Sequence, residues 1–204
     1  MNLRKDYTPQ RALELLKEGN KRFILGKTLR RDFLKQVRET SSSQFPYAAI
    51  LSCMDSRIPT EIIFDQGLGD IFNIRIAGNV ADKNIIGSLE FCCKTIGSCL
   101  VLVMGHTDCG AIKGAVDDIK LGMLTGLLDI IKPAINSVEI NAERSSGNKI
   151  FIDMAAEANV RMTIKLIRDK SPVLKEMENN GELKITGAMY DTSTGEVDFF
   201  EKLI

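Results

Sequence analysis

Two short stretches of the chain carry residue types that could do chemistry together. Cys53-Met54-Asp55-Ser56-Arg57 offers a thiol, a carboxylate and a guanidinium. His106-Thr107-Asp108-Cys109-Gly110 offers the chain's single histidine and a second thiol. Zinc takes sulfur, imidazole and carboxylate ligands in tetrahedral sets, and a catalytic zinc keeps one position for water. The expected chemistry is therefore that of a zinc hydro-lyase built on both stretches. Each stretch alone is weak. The first reads equally well as a buried cysteine followed by a surface Asp–Arg pair. A lone histidine is more often structural than a ligand, and His-x-x-Cys is a loose pattern. Their strength lies in the combination, because each follows an apolar run that ends at the reactive residues.

Apolar runs of that length, bounded by turn residues, read as buried strands. A first strand is expected over about 47–54, a second over 71–77 and a third over 99–105. Helical patterns separate them: a turn over 57–66 with Pro59 near its start, and a helix opened by Asp82 that stops near Gly97. Strand–helix alternation implies parallel pairing with right-handed crossovers. If both stretches build one site, strands one and three are neighbours and the order begins 2-1-3. The site then lies at the reversal point of that order, at the carboxyl ends of the strands. Residues two apart on a strand share a face, so Cys53, Asp55 and Arg57 point one way if the extended geometry persists. Forked pairing with Arg57 keeps Asp55 ionised. Cys109 is expected at a helix N-terminus, where orphan N–H groups favour a thiolate, and Gly110 lets the backbone come close there.

Before the strands, Thr8-Pro9 starts a helix that ends at Gly26, and Phe33, Leu34 and Val37 mark a second short helix. Residues 1–43 read as a helical arm that packs on a neighbour or on the chain's own sheet. Residues 109–182 read as mostly helical, with a polar break at 141–149 and a restart at Ser171-Pro172. Two strand-like runs, 183–190 and 197–200, form a C-terminal hairpin whose last strand is an antiparallel edge. The fold class is α/β, a mostly parallel central sheet flanked by helices, in one domain over 1–204. Cys92, Cys93 and Cys99 read as small buried hydrophobes, and Met54, Met104 and Met123 as core or near-core filler.

Composition narrows the setting. Lys+Arg and Asp+Glu both total 27, which leaves no electrostatic footprint for nucleic acid or an anionic membrane. No apolar run approaches membrane-spanning length and the first residues lack an apolar signal region, so a cytoplasmic protein is expected. Five cysteines exclude a complete disulfide framework and favour metal binding in a reducing compartment.

The chain resembles the β-class carbonic anhydrases. The likeness is carried by GNKRF at 19–23, FPYAAILSCMDSRIPTEIIFDQGLGDIFNIRIAGNV at 45–80, SLEF at 88–91 and VMGHTDCGAIKGAV at 103–116. It implies Zn2+ bound by Cys53, His106 and Cys109, with Asp55 as a conditional fourth ligand in a closed state. It implies Asp55 and Arg57 as the catalytic dyad. Gln44 and Phe72 look like residues that line the carbon dioxide pocket, reaching it from a partner subunit, with Phe91 and Gly110 nearby. The implied activity is reversible hydration of carbon dioxide to bicarbonate and a proton, by a homodimer that can pair into a homotetramer. Hydrolysis of carbon disulfide or carbonyl sulfide, or a non-catalytic zinc-binding homologue, are the alternatives. A cysteine phosphatase fits poorly, since no glycine-rich cradle separates Cys53 from Arg57. Two departures stand out. Phe91 stands where the family often has tyrosine. Ile50 stands where one subgroup carries a tryptophan of an inhibitory bicarbonate pocket.

Overall fold

The computed structural model describes residues 7–200. Among these residues five strands form one sheet: β1 Ala48–Ser52, β2 Ile71–Arg75, β3 Leu100–His106, β4 Lys184–Tyr190 and β5 Val197–Phe199, in the order β2-β1-β3-β4-β5. The first three pairings are parallel and β5 lies antiparallel on β4. The expected 2-1-3 beginning and the antiparallel edge are both present. Among the described residues, eight α-helices accompany the sheet: α1 Pro9–Ile24, α2 Phe33–Thr40, α3 Thr60–Ile63, α4 Lys83–Glu90, α5 Gly110–Val116, α6 Gly122–Ser137, α7 Lys149–Lys170 and α8 Pro172–Asn179.

The central strands are buried on both faces, which is why they read as unbroken apolar runs. Along β1 and β3, Ala48, Ile50, Leu100, Leu102 and Met104 pack into one core with α1, α5 and α6. Ala49, Leu51, Val101 and Val103 face the opposite core, with α4, α8 and the second half of α7. Helix α7 lies so close to β3 that a Cβ on Gly105 would stand 2.7 Å from Val160 Cγ2. A glycine there is a requirement of packing.

Several sequence expectations shift. The first strand ends at Ser52, two residues before Met54. The helix expected through Gly97 is an α-helix to Glu90 followed by a π-helical turn, Phe91–Ile96, that buries Cys92 and Cys93 and closes on left-handed Gly97. Met54 is 62% and Met123 is 95% exposed, so neither fills a core; Met104 does. The arm divides. Helix α1 buries Ala12, Leu13 and Leu16 on its own sheet, whereas α2 buries nothing and leaves Phe33, Leu34 and Val37 at least half exposed.

The chain after α1 is tied down by charge. Asp65, with positive φ, is buried and accepts from both Arg22 and Arg31. Burial alone would push its carboxyl up, but the two guanidiniums outweigh this and hold it below the ordinary range. A depressed carboxyl contributes stability above its unfolded pKa and loses it as pH falls through the folded one. Asp65→Asn is therefore expected to cost about 3–5 kcal/mol at neutral pH. It should also flatten the fall in stability below about pH 4; urea unfolding across acid pH checks both, and an unchanged acid limb refutes the assignment.

Candidate metal centre

The sheet register brings the reactive stretches together. Ser52 pairs with Met104, so the chain leaves β1 beside the last turn of β3. Cys53 follows β1, His106 closes β3, and Cys109 caps α5. Their ligand atoms lie within 4.8 Å of one another, and all three residues are buried. Asp108 has φ +58, which turns the chain between His106 and Cys109. Its N–H donates to Asp153 Oδ1 at 2.9 Å, and its carboxylate pairs with Lys113. Thr107 N donates to Tyr190 O at 3.0 Å and anchors the same turn to β4.

The donor atoms are set up to receive a cation. His106 Nδ1 lies 2.9 Å from the Thr107 carbonyl oxygen. A carbonyl only accepts, so the proton sits on Nδ1 and Nε2 presents its lone pair. That Nε2 is buried and has no hydrogen-bond partner among the described residues. A buried polar atom without a partner is costly. The sulfurs are equally suggestive. Beside the Cys109 thiol, which donates to it, and with the Gly78 N–H at 3.4 Å, Cys53 is held well below the ordinary thiol range. Cys109 is pushed up, because its proton is shared with the Cys53 sulfur and burial opposes a second negative charge. The two sulfurs share one proton until a cation lets both ionise. Two thiolates, one neutral imidazole and buried surroundings fit a divalent, sulfur-tolerant ion such as zinc.

Asp55 and Arg57 meet by a turn, not along an extended strand. The chain bends after Asp55, whose Oδ1 accepts from Arg57 N at 3.0 Å and Nε at 2.9 Å, while Oδ2 accepts from Nη2 at 2.9 Å. This fork holds the Asp55 carboxyl down to about 2. Asp55 lies outside the group formed by Cys53, His106 and Cys109. Arg75, at the end of β2, donates to the Cys53 carbonyl at 3.2 Å and to that of Asp55.

The other sequence-expected residues do not join the centre within this chain. Phe72 and Phe91 line a hollow formed by β2, α4 and the π-helical turn. Gln44 lines another, with residues 40–43 and Gly69. Gly110 is the first residue of α5, and a Cβ on it would meet nothing within 4 Å. The close approach expected there is absent. Sequence reading did not assign Gly78 or Asn159 to the site. Asn159 donates to Gly78 O at 2.7 Å. The available signals were the Gly78-Asn79 pair after a strand and a polar residue inside the apolar stripe of α7.

Residues 48–197 match the pattern of the carbonic anhydrase family. Carbonic anhydrase 2 of Mycobacterium tuberculosis is 34% identical over 190 residues, covering 92% of this chain and 90% of that protein. The crystal structure of the β-carbonic anhydrase CafA of Aspergillus fumigatus superposes with a TM-score of 0.71 at 25% identity, covering 94% of this chain and 90% of that one. The chain belongs to the β-class carbonic anhydrases. These enzymes are carbonate dehydratases, and the fold of this member is shared beyond close relatives. A tetrameric β-carbonic anhydrase of Sordaria macrospora matches with a TM-score of 0.70 at 21% identity, covering 82% of this chain and 90% of that one.

A divalent ion that binds between Cys53, His106 and Cys109 would stabilise the folded chain alone. At a free concentration a hundred times Kd the expected gain is about 2.7 kcal/mol. Thermal unfolding of metal-free protein with and without zinc reads it. Cys53→Ala should abolish the rise, and an unchanged wild-type midpoint refutes the site.

Proposed function

We propose that this protein catalyses the reversible hydration of carbon dioxide to bicarbonate and a proton, with Zn2+ held by Cys53, His106 and Cys109. One observation carries the reading: three buried donors within 4.8 Å of one another, in a chain of this family. The partnerless Nε2 of His106 supports it. Zinc bound there supplies the Lewis acidity that makes a water reactive near neutral or alkaline pH.

The chain's own residues do the rest. Asp55 Oδ1 takes two donors from Arg57 and Oδ2 takes one. Oδ2 therefore keeps a lone pair for the proton of the attacking water, which orients that water's oxygen toward carbon dioxide. Arg57 keeps Asp55 ionised and draws it away from the three donors. That arrangement supports an open resting site in which Asp55 is no ligand. His106 holds its proton on Nδ1 against Thr107 O, so the ring stays in the ligating tautomer. With His106 so engaged, the chain has no second imidazole to carry protons away.

The dimer is part of the same reading. Phe33, Leu34 and Val37 of α2 and the half-buried edge strand β2 leave apolar surface suited to a second copy. Such a partner would bring its Gln44 and Phe72 to the pocket, and dimers can pair into tetramers. Five free cysteines and the lack, among the described residues, of a helix able to cross a membrane agree with work in a reducing compartment such as the cytoplasm.

Zinc content measured beside carbon dioxide hydration tests the whole reading; a metal-free or inert purified protein overturns it. Asp55→Asn is expected to lose on the order of 10²-fold or more of the activity while keeping its zinc, and full activity would remove Asp55 from the mechanism. Turnover should rise with buffer concentration at fixed pH and ionic strength. A rate indifferent to buffer would show that the chain exports the proton by itself.

A further inference from the structure

We propose that Asn159 is a positioning residue for the metal centre, acting on the Cys53 sulfur through the backbone of Gly78. The inference deepens the zinc reading and rests on Cys53 being a ligand. Asn159 is 2% exposed and lies on the face of α7 that buries Ala155, Ala156, Val160 and Ile164. An amide on such a face is costly unless it is bonded. Its Nδ2 donates to the Gly78 carbonyl at 2.7 Å. Gly78 itself has φ +64 and ψ 19, and its N–H donates to Cys53 Sγ at 3.4 Å. A Cβ there would stand 2.6 Å from Ile131 Cδ1. Left-handed backbone and close packing thus both demand glycine.

The chain of contacts has a chemical consequence. An N–H aimed at a thiolate takes up part of its charge, and the sulfur then donates less strongly to the ion it holds. Two thiolates would otherwise neutralise a divalent ion and blunt its acidity. By holding the Gly78 turn, Asn159 keeps that N–H on the sulfur from a helix that contributes no ligand.

Cobalt(II) reports this directly, since its sulfur-to-metal charge-transfer band moves to longer wavelength as the thiolate becomes a stronger donor. In cobalt-loaded Asn159→Leu the band is expected at longer wavelength than in the wild type. In the metal-free variant the Gly78 amide should exchange its hydrogen on the order of tenfold faster. Asn159→Ala, read in the same two ways, serves if the leucine variant does not fold. A folded, cobalt-loaded variant with an unmoved band, or an unchanged exchange rate, overturns the positioning role alone. A wild-type chain that takes up no cobalt overturns the zinc reading and this inference with it.

Discussion

Parallel pairing of β1 with β3 is the constraint on which the site depends. Neither the Cys53 sulfur nor the His106 imidazole meets the other through local sequence. They meet because Ser52 and Met104 are partners in the ladder, so Cys53 follows β1 beside the last residues of β3. A slip of one residue would turn every side chain of β1 to the other face. The slip is opposed by two full cores. Ala48 and Ile50 on one face, and Ala49 and Leu51 on the other, are all completely buried. The apolar alternation that stabilises the sheet therefore also sets the spacing of the donors.

Burial gives the cluster its chemical character. Two sulfurs and an imidazole without water around them cannot carry two negative charges unaided. Without a cation the two sulfurs would share a proton. A divalent cation would settle it differently, by letting both thiols ionise with little net charge left in the buried group. The carboxylate that would upset that balance is kept outside by Arg57. Charge thus sorts the residues into those inside the cluster and the pair at its edge.

Most of the sheet could be read from the sequence because its signals are local. Unbroken apolar runs marked β1 and β3, and the demand that Cys53 meet Cys109 ordered three strands correctly. What escaped depends on tertiary packing. Cys53, Asp55 and Arg57 looked like one face of a strand, but the Asp55 carboxylate captures the Arg57 N–H and bends the chain first. The helix after Asp82 loosens into a π-helical turn at Phe91, which no apolar periodicity announces. Met54 and Met123 are hydrophobic in type yet lie at the surface, where their position in the fold decides exposure and their chemistry does not. Asn159 was hidden because its partner is a backbone carbonyl about eighty residues away, and backbone carbonyls leave no mark in a sequence.

That last case bears on how such a centre is kept rigid. Side chains alone would leave Cys53 on a segment with no strand partners, since β1 has already ended. Its restraint comes from groups on several other elements. Arg75, from β2, holds the carbonyls on either side of Met54. Gly78, from the turn after β2, holds the sulfur. Asn159, from α7, holds Gly78. Ile131, from α6, closes the space a side chain at position 78 would need. Each hydrogen bond is worth only about 1–3 kcal/mol net, but together these contacts leave the sulfur few positions. A loop that must hold a ligand to within a few tenths of an ångström thus borrows its stiffness from a strand and two helices that supply no ligand themselves.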